Sequence, residues 1–389
     1  MKISKMAQEI QPSLTRKLFD KAKQYNDVID FKLGDPDYST PKYIQEAGCM
    51  AITGGKTKYS ANAGLPELRK AISENIYKET GIRYNSNNEI IATVGAMEAL
   101  YLALCCLIDD GDEVIIPAPY WVNYYHMTQM CGGKPIIVDS DEKHNFIVEI
   151  DRIKKAITDK TVAIIINSPN NPTGTIYDKE TLKELSKIAI EKNIVIIWDE
   201  CYKTIIYDDE KFTSILEFDG MKDHAVVINS CSKRFSMTGW RIGYAAAPVE
   251  LIANMTKLQE NIAACASLPS QYAAIAAYSI DTEDSENMRR GFEERRNFLI
   301  EEIKQIPGLS CNIPKGTFYA FVNIKSFNMS SEDFAYALLD SKQVAVVPGI
   351  TYGECCEGFI RIAYTMEIKK VKEGMRRLKE FCKELQNNC

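Results

Sequence analysis

Seven short runs of mostly aliphatic residues recur between residues 89 and 248, and helical stretches separate them. The runs are Glu89–Thr93, Glu113–Pro117, Lys134–Asp139, Thr161–Ser168, Ile194–Asp199, Ala225–Ser230 and Gly243–Pro248. Most are apolar on both faces, as in Val162-Ala163-Ile164-Ile165-Ile166 and Ile194-Val195-Ile196-Ile197. A strand wetted on one face alternates apolar with polar residues, whereas a strand covered by helices on both faces reads as a continuous apolar run. Between the runs, Leu182, Leu185, Ile188 and Ala189 recur at helical spacing within Lys179–Lys192. The pattern predicts an α/β fold whose large domain holds a mostly parallel, seven-stranded sheet flanked by helices.

The pattern changes toward the C-terminus. Asp284–Gln305 reads as a long charged helix. Strand candidates follow at Phe318–Asn323, Val344–Val347 and Phe359–Ala363, with helices at Ser331–Ser341 and Ile368–Leu385. These predict a smaller α+β domain, with the N-terminal segment packed beside it. The expected division is a large domain over residues 43–285 and a small domain built from 1–42 and 286–389. A chain of 389 residues is long enough for one large core and a satellite.

Bulk properties exclude several classes of function. The formal net charge is −6, and no basic stripe offers a nucleic-acid surface. No apolar run has the length of a membrane span. The polar segment Met1–Pro12 lacks the apolar core of a signal peptide, so a cytoplasmic location is expected. The twelve cysteines are scattered without a Cys-x-x-Cys, and there are only three histidines, which argues against a zinc site. The cysteines read as reduced, small core residues.

In open α/β sheets, ligands bind at the carboxyl ends of the strands. Val94-Gly95-Ala96-Met97 follows the first run and opens a helix whose free N–H groups suit a phosphate. Pro169-Asn170-Asn171-Pro172-Thr173-Gly174 follows the fourth, and Asp199-Glu200-Cys201-Tyr202 closes the fifth. The sixth run leads into Ser230-Cys231-Ser232-Lys233, with Arg241 eight residues beyond the lysine. A lysine there can form a Schiff base with an aldehyde cofactor. The two serines and Arg241 can hold a phosphate. The combination suggests pyridoxal phosphate chemistry. Taken singly, each residue also has an ordinary structural reading: Asp199 as a helix cap, Asn171 as a turn former, Tyr202 and Trp121 as core, Lys233 and Arg241 as surface cations. Their joint placement at one sheet edge favours a site. No Gly-x-Gly-x-x-Gly follows a strand, so a nicotinamide site has no support.

These motifs resemble those of the class I aminotransferases of the aspartate aminotransferase family, with the type I pyridoxal-phosphate enzyme fold. The resemblance runs from Leu33-Gly34-Asp35-Pro36-Asp37 to Phe359-Ile360-Arg361-Ile362-Ala363-Tyr364. It rests on Ser-x-Ser-Lys followed by Met-Thr-Gly-Trp-Arg-Ile-Gly-Tyr, on Ser-Pro-Asn-Asn-Pro-Thr-Gly and on Asp-Glu-x-Tyr. It implies that Lys233 is the Schiff-base lysine and that Asp199 pairs with the pyridine nitrogen. Asn171 and Tyr202 would bond the ring hydroxyl oxygen, and Trp121 would stack on the ring. Gly95, Ala96, Ser230, Ser232 and Arg241 would surround the phosphate, and Met97 would also contact the cofactor. Tyr59 would reach the phosphate of a neighbouring subunit, so the resemblance implies a homodimer with shared active sites. Arg361, assisted by the backbone of Gly34, would clamp the substrate α-carboxylate.

The implied reaction moves the amino group of an L-amino acid to 2-oxoglutarate by a ping-pong mechanism, with aspartate the leading donor and aromatic amino acids or alanine as alternatives. Some aspartate-specific members carry a lysine where this chain has Met97, so that contact to a distal carboxylate is missing here. The rival within the same fold is a β-lyase acting on cystathionine-like thioethers. A pyridoxal-phosphate-binding regulator without catalysis is the rival outside enzymes, but the chain has no basic segment for an added DNA-binding domain.

Overall fold

All seven runs form strands of one sheet in the computed structural model, which describes residues 1–10, 14–280 and 282–387. The strands are β1 (Ile90–Thr93), β2 (Glu113–Ala118), β3 (Lys134–Asp139), β4 (Thr161–Asn167), β5 (Val195–Asp199), β6 (Ala225–Ser230) and β7 (Gly243–Ala246). Their order is β1-β7-β6-β5-β4-β2-β3. Only β7 runs against its neighbours; the remaining pairs are parallel. Alternate residues of one strand enter different cores. Ile164 and Ile166 pack on one face with Ile196 and Trp198, while Ala163 and Ile165 pack on the other with Ile197 and Val226. This two-sided burial is the cause of the unbroken apolar runs.

Helix ends follow local chemistry. In helix Lys179–Lys192 the Asp178 carboxylate accepts from Thr181 N–H at 2.7 Å, and Asn193 closes the helix in the left-handed conformation at φ +53°. Such an N-cap contributes about 1 kcal/mol.

The C-terminal part forms a second layer around Tyr319–Asn323 and Phe359–Ala363, paired antiparallel. The expected single strand Val344–Val347 is corrected. It breaks at Val346 into two pieces that serve different sheets. Val344–Ala345 pairs in parallel with Ile29–Asp30, and Val347–Pro348 pairs antiparallel with Phe359–Ala363. The first piece anchors the N-terminal segment, whose Leu18, Ile29 and Phe31 share one core with Phe334, Leu338 and Met375.

Of the eleven cysteines described, all thiols, Cys231, Cys356 and Cys382 are buried in the cores, and Cys106, Cys131, Cys201, Cys311 and Cys355 are partly buried against them. No described helix is long and apolar enough to cross a membrane.

Candidate active site

Parallel strands deliver their carboxyl ends to one edge, and the register makes the alignment concrete. Asn167 of β4 lies beside Asp199 of β5. Ser230 of β6 lies beside Gly243 of β7, which in turn lies beside Thr93 of β1. A cavity of about 390 Å³ opens there. Of the expected site residues, Gly34, Ala96, Met97, Trp121, Asn171 and Asp199 line it, as do Tyr202, Ser230, Ser232, Lys233, Arg241 and Arg361. Gly95 stands directly behind the wall, since a Cβ on it would come within 2.5 Å of Arg241 Nη2. Tyr59 does not line this cavity; its side chain is 87% exposed.

At one end, helix Gly95–Leu107 begins and leaves first-turn N–H groups without acceptors in the helix. Gly95 has φ +77°, and its missing side chain lets the Arg241 guanidinium lie against the helix start. Gly243 allows a second close approach, because a Cβ there would sit 2.6 Å from Ala96 N. Arg241 itself is left-handed at φ +50°, an unfavourable conformation for a non-glycine residue. Its Nη1 donates to the Thr238 carbonyl at 2.9 Å, which fixes the guanidinium. Backbone N–H groups, a fixed cation and the hydroxyls of Ser230 and Ser232 together make an anion cradle.

Asp199 occupies the strand end at the centre. Neighbouring residues of a strand point to opposite sides. Asp199 faces the cavity, and Glu200 faces a buried ion network beneath it. Asp199 accepts from the Tyr124 hydroxyl at 2.6 Å and from Cys201 N–H at 3.1 Å. Burial raises the Asp199 carboxyl above its usual range despite these bonds. Glu200 accepts from Trp198 Nε1 at 3.1 Å and pairs with Lys203, which also meets Glu79 at 2.6 Å. That network holds the turn carrying Asp199 and Tyr202.

Lys233 follows β6 in a single helical turn, Cys231–Arg234. Its Nζ donates to the Gly34 carbonyl at 2.6 Å and lies 5.5 Å from the Phe318 ring centroid. Opposite, Arg361 rises from the strand Phe359–Ala363 and is only 6% exposed. Its Nη1 donates to Asn171 Oδ1 at 3.0 Å and its Nη2 to the Lys32 carbonyl at 2.6 Å. Its guanidinium sits 4.3 Å from the Tyr319 ring centroid, and its Nε is buried without a hydrogen-bond partner. Asn171 accepts from Arg361 with its oxygen, which leaves the amide N–H groups for a ligand. Its own backbone N–H donates to Asn167 Oδ1 at 2.8 Å.

Three contributors carry little or no mark in the sequence. Tyr124 stands one helical turn after Trp121, a spacing that puts both on one side and is the only signal for it. The Tyr319 hydroxyl meets the Tyr202 hydroxyl at 3.0 Å across 117 residues. Tyr352 lies 5.3 Å from the Arg361 guanidinium. The last two come from the second layer, and no local pattern marks them.

The model of the aminotransferases of class I and II matches residues 26–378. An aspartate aminotransferase of Pyrococcus abyssi is 40% identical over 377 residues, covering 96% of this chain and 97% of that protein. An aromatic-amino-acid aminotransferase of Thermococcus litoralis is 38% identical, with 99% of each chain covered. The crystal structure of an aspartate aminotransferase from Rhizobium meliloti superposes with a TM-score of 0.95 at 32% identity, covering 98% of this chain and 99% of that one. With a buried carboxylate, an anion cradle, a lysine and an arginine facing one cavity, and with this likeness along its whole length, the chain belongs to the class I and II aminotransferases, in the aspartate aminotransferase family, and catalyses amino-acid transamination.

Proposed function

We propose that the cavity binds pyridoxal 5′-phosphate and that the protein uses it to pass the amino group of an L-amino acid to 2-oxoglutarate in two half-reactions at one site. Aspartate is the leading donor, and a cytoplasmic homodimer is the proposed form. One observation carries the reading: Lys233, Asp199, Arg241 and Arg361 face a single cavity at the strand ends.

The residues present fit this cofactor. The Gly95–Arg241 cradle has no room for a Cβ and is shaped for an anion. Asp199 is buried against neutral donors only, so a protonated ring nitrogen would supply its missing cation. Arg361 lines the same cavity, where its guanidinium would meet a substrate carboxylate.

Bound pyridoxal phosphate supplies an aldehyde that captures amino groups and a ring that takes up electrons released at the α-carbon. The protein's own groups do the rest. Lys233 would hold the cofactor, and its amine is the group placed to carry the proton of the substrate α-carbon. Asp199 keeps the ring nitrogen protonated. Asn171 and Tyr202 would donate to the ring oxygen, and Trp121 would cover the ring. Gly95, Ala96, Ser230, Ser232 and Arg241 would hold the phosphate, with Met97 also against the cofactor and the partner subunit's Tyr59 completing the phosphate shell. Arg361 binds the α-carboxylate, where a planar fork serves better than a lysine, and the Gly34 backbone supports it.

A donor panel with 2-oxoglutarate tests the function. Aspartate and glutamate should be used, with phenylalanine and tyrosine slower. If alanine or a branched-chain donor exceeds aspartate by more than about tenfold, some 1.4 kcal/mol of discrimination, the choice of aspartate fails while transamination stands. Pyruvate and ammonia from cystathionine without any oxo acid would point to the lyase instead.

A further inference from the structure

Two helices open at the candidate site and meet again at their far ends. Helix Gly95–Leu107 starts at the anion cradle, and helix Val122–Met130 starts directly after Trp121. Cys105 lies in the last turn of the first, and Cys131 caps the C-terminus of the second. Their sulfur atoms are 3.1 Å apart, although the residues are 26 positions apart in the chain. A disulfide bond is about 2.0 Å long, so an approach of about 1 Å separates this thiol pair from a covalent link.

The pair is reachable, and its two members differ. Both residues are partly exposed. The Cys131 thiol donates toward Cys105, as does Tyr101 one helical turn earlier, and these bonds lower the Cys105 thiol to about 7 against the opposing effect of burial. The same contact raises the Cys131 thiol, which keeps its proton. The thiolate is the reactive form of cysteine, and an accessible low-pKa thiol beside a second, resolving thiol is the arrangement of redox-responsive sites. Cys106 supplies a contrast. Adjacent residues of a helix do not face each other, and burial raises the Cys106 thiol to about 11.

We propose that Cys105 and Cys131 form a redox-modification site, closed to an intrachain disulfide by hydrogen peroxide and reopened by small thiols. The Cys105 thiolate attacks one peroxide oxygen, the O–O bond breaks, and hydroxide leaves with a sulfenic acid on Cys105. The Cys131 sulfur then attacks Cys105 and the S–O bond breaks. The departing oxygen takes the Cys131 proton and leaves as water. The two sulfurs give up two electrons, and one peroxide is reduced. Reopening returns both thiols and joins two small thiols in a disulfide. The link would tie together the far ends of the two helices that border the cavity. No residue assigned above to the cofactor or substrate takes part, so the inference stands apart from the proposed function.

Trypsin cannot separate the pair, because no lysine or arginine lies between residues 105 and 131, whereas chymotrypsin can cut at the aromatic residues between them. The whole protein is reduced, treated with stoichiometric hydrogen peroxide, alkylated at its remaining thiols and digested with chymotrypsin without reduction. A cross-linked peptide pair containing Cys105 and Cys131 is expected, and dithiothreitol should dissolve it. The oxidised chain should still run as a monomer on a denaturing, non-reducing gel. Cys106→Ser should keep the cross-link, which assigns it to Cys105. Cys131→Ser should leave a sulfenic acid on Cys105 that dimedone traps. Recovery of Cys105 and Cys131 as alkylated thiols would overturn the inference. So would a cross-link that disappears in Cys106→Ser or one that joins two chains.

Discussion

The Lys233 ammonium donates to the Gly34 carbonyl oxygen at 2.6 Å, joining residues 199 positions apart across the cavity. The contact ties the strand-end lysine to the N-terminal segment and holds the amine at a defined place.

Gly34 has little freedom to change. A Cβ there would lie 1.9 Å from the Tyr319 hydroxyl oxygen. Gly34→Ala must push either the N-terminal segment or Tyr319 aside. Turnover is expected to fall by at least about tenfold, since small displacements of positioning groups are costly. Binding of the cofactor through its phosphate should survive. Wild-type turnover in Gly34→Ala would show that this contact does not position the amine.

Beneath the site, Lys203 is buried between Glu200 and Glu79. Lys203→Met leaves Glu200 as an uncompensated buried charge. The expected loss is about 3–5 kcal/mol of stability, readable by denaturant unfolding at neutral pH. A loss below about 1 kcal/mol, the level of a surface pair, would contradict a structural role for this network.

Most of the layout is legible in the sequence for a physical reason. Strands buried on both faces announce themselves as apolar runs, and parallel strands must bring their ends to one edge. Lys233, Asp199 and Asn171 therefore fall together from the order of the runs alone. Contacts made across the two layers have no such signal. The Tyr319 partner of Tyr202 and the Lys32 carbonyl partner of Arg361 arise from tertiary packing alone. The break at Val346 is invisible in the sequence because the run Val344–Val347 is apolar throughout, whichever sheet each half joins.

Asp199 predicts a pH dependence. Burial raises its folded-state carboxyl above the ordinary value. Below that ordinary value, near pH 4, the group is protonated in both folded and unfolded chains and costs nothing. As pH rises toward the raised value, the unfolded chain ionises first and the cofactor-free protein loses stability. A cation facing Asp199 cancels this loss. The gain in Tm on adding pyridoxal phosphate should therefore grow between about pH 4 and pH 7. In Asp199→Asn most of that growth should vanish. The same slope in the variant would mean that Asp199 does not face the ring.

Tyr59 predicts a shared site. Its side chain is 87% exposed and absent from its own subunit's cavity wall. Mixing inactive Lys233→Ala and Tyr59 variants should restore activity in hybrid dimers, because one of the two sites then carries both native residues. A fully active monomer at assay concentration rules the arrangement out.

The proposed function requires a cofactor carried on Lys233 in this cavity. Borohydride reduction of the resting protein, followed by peptide mapping, tests it most directly. A phosphopyridoxyl group is expected on the peptide that contains Lys233, and none in Lys233→Ala. A label on any other lysine, or a reduced protein with no label at all, would contradict it.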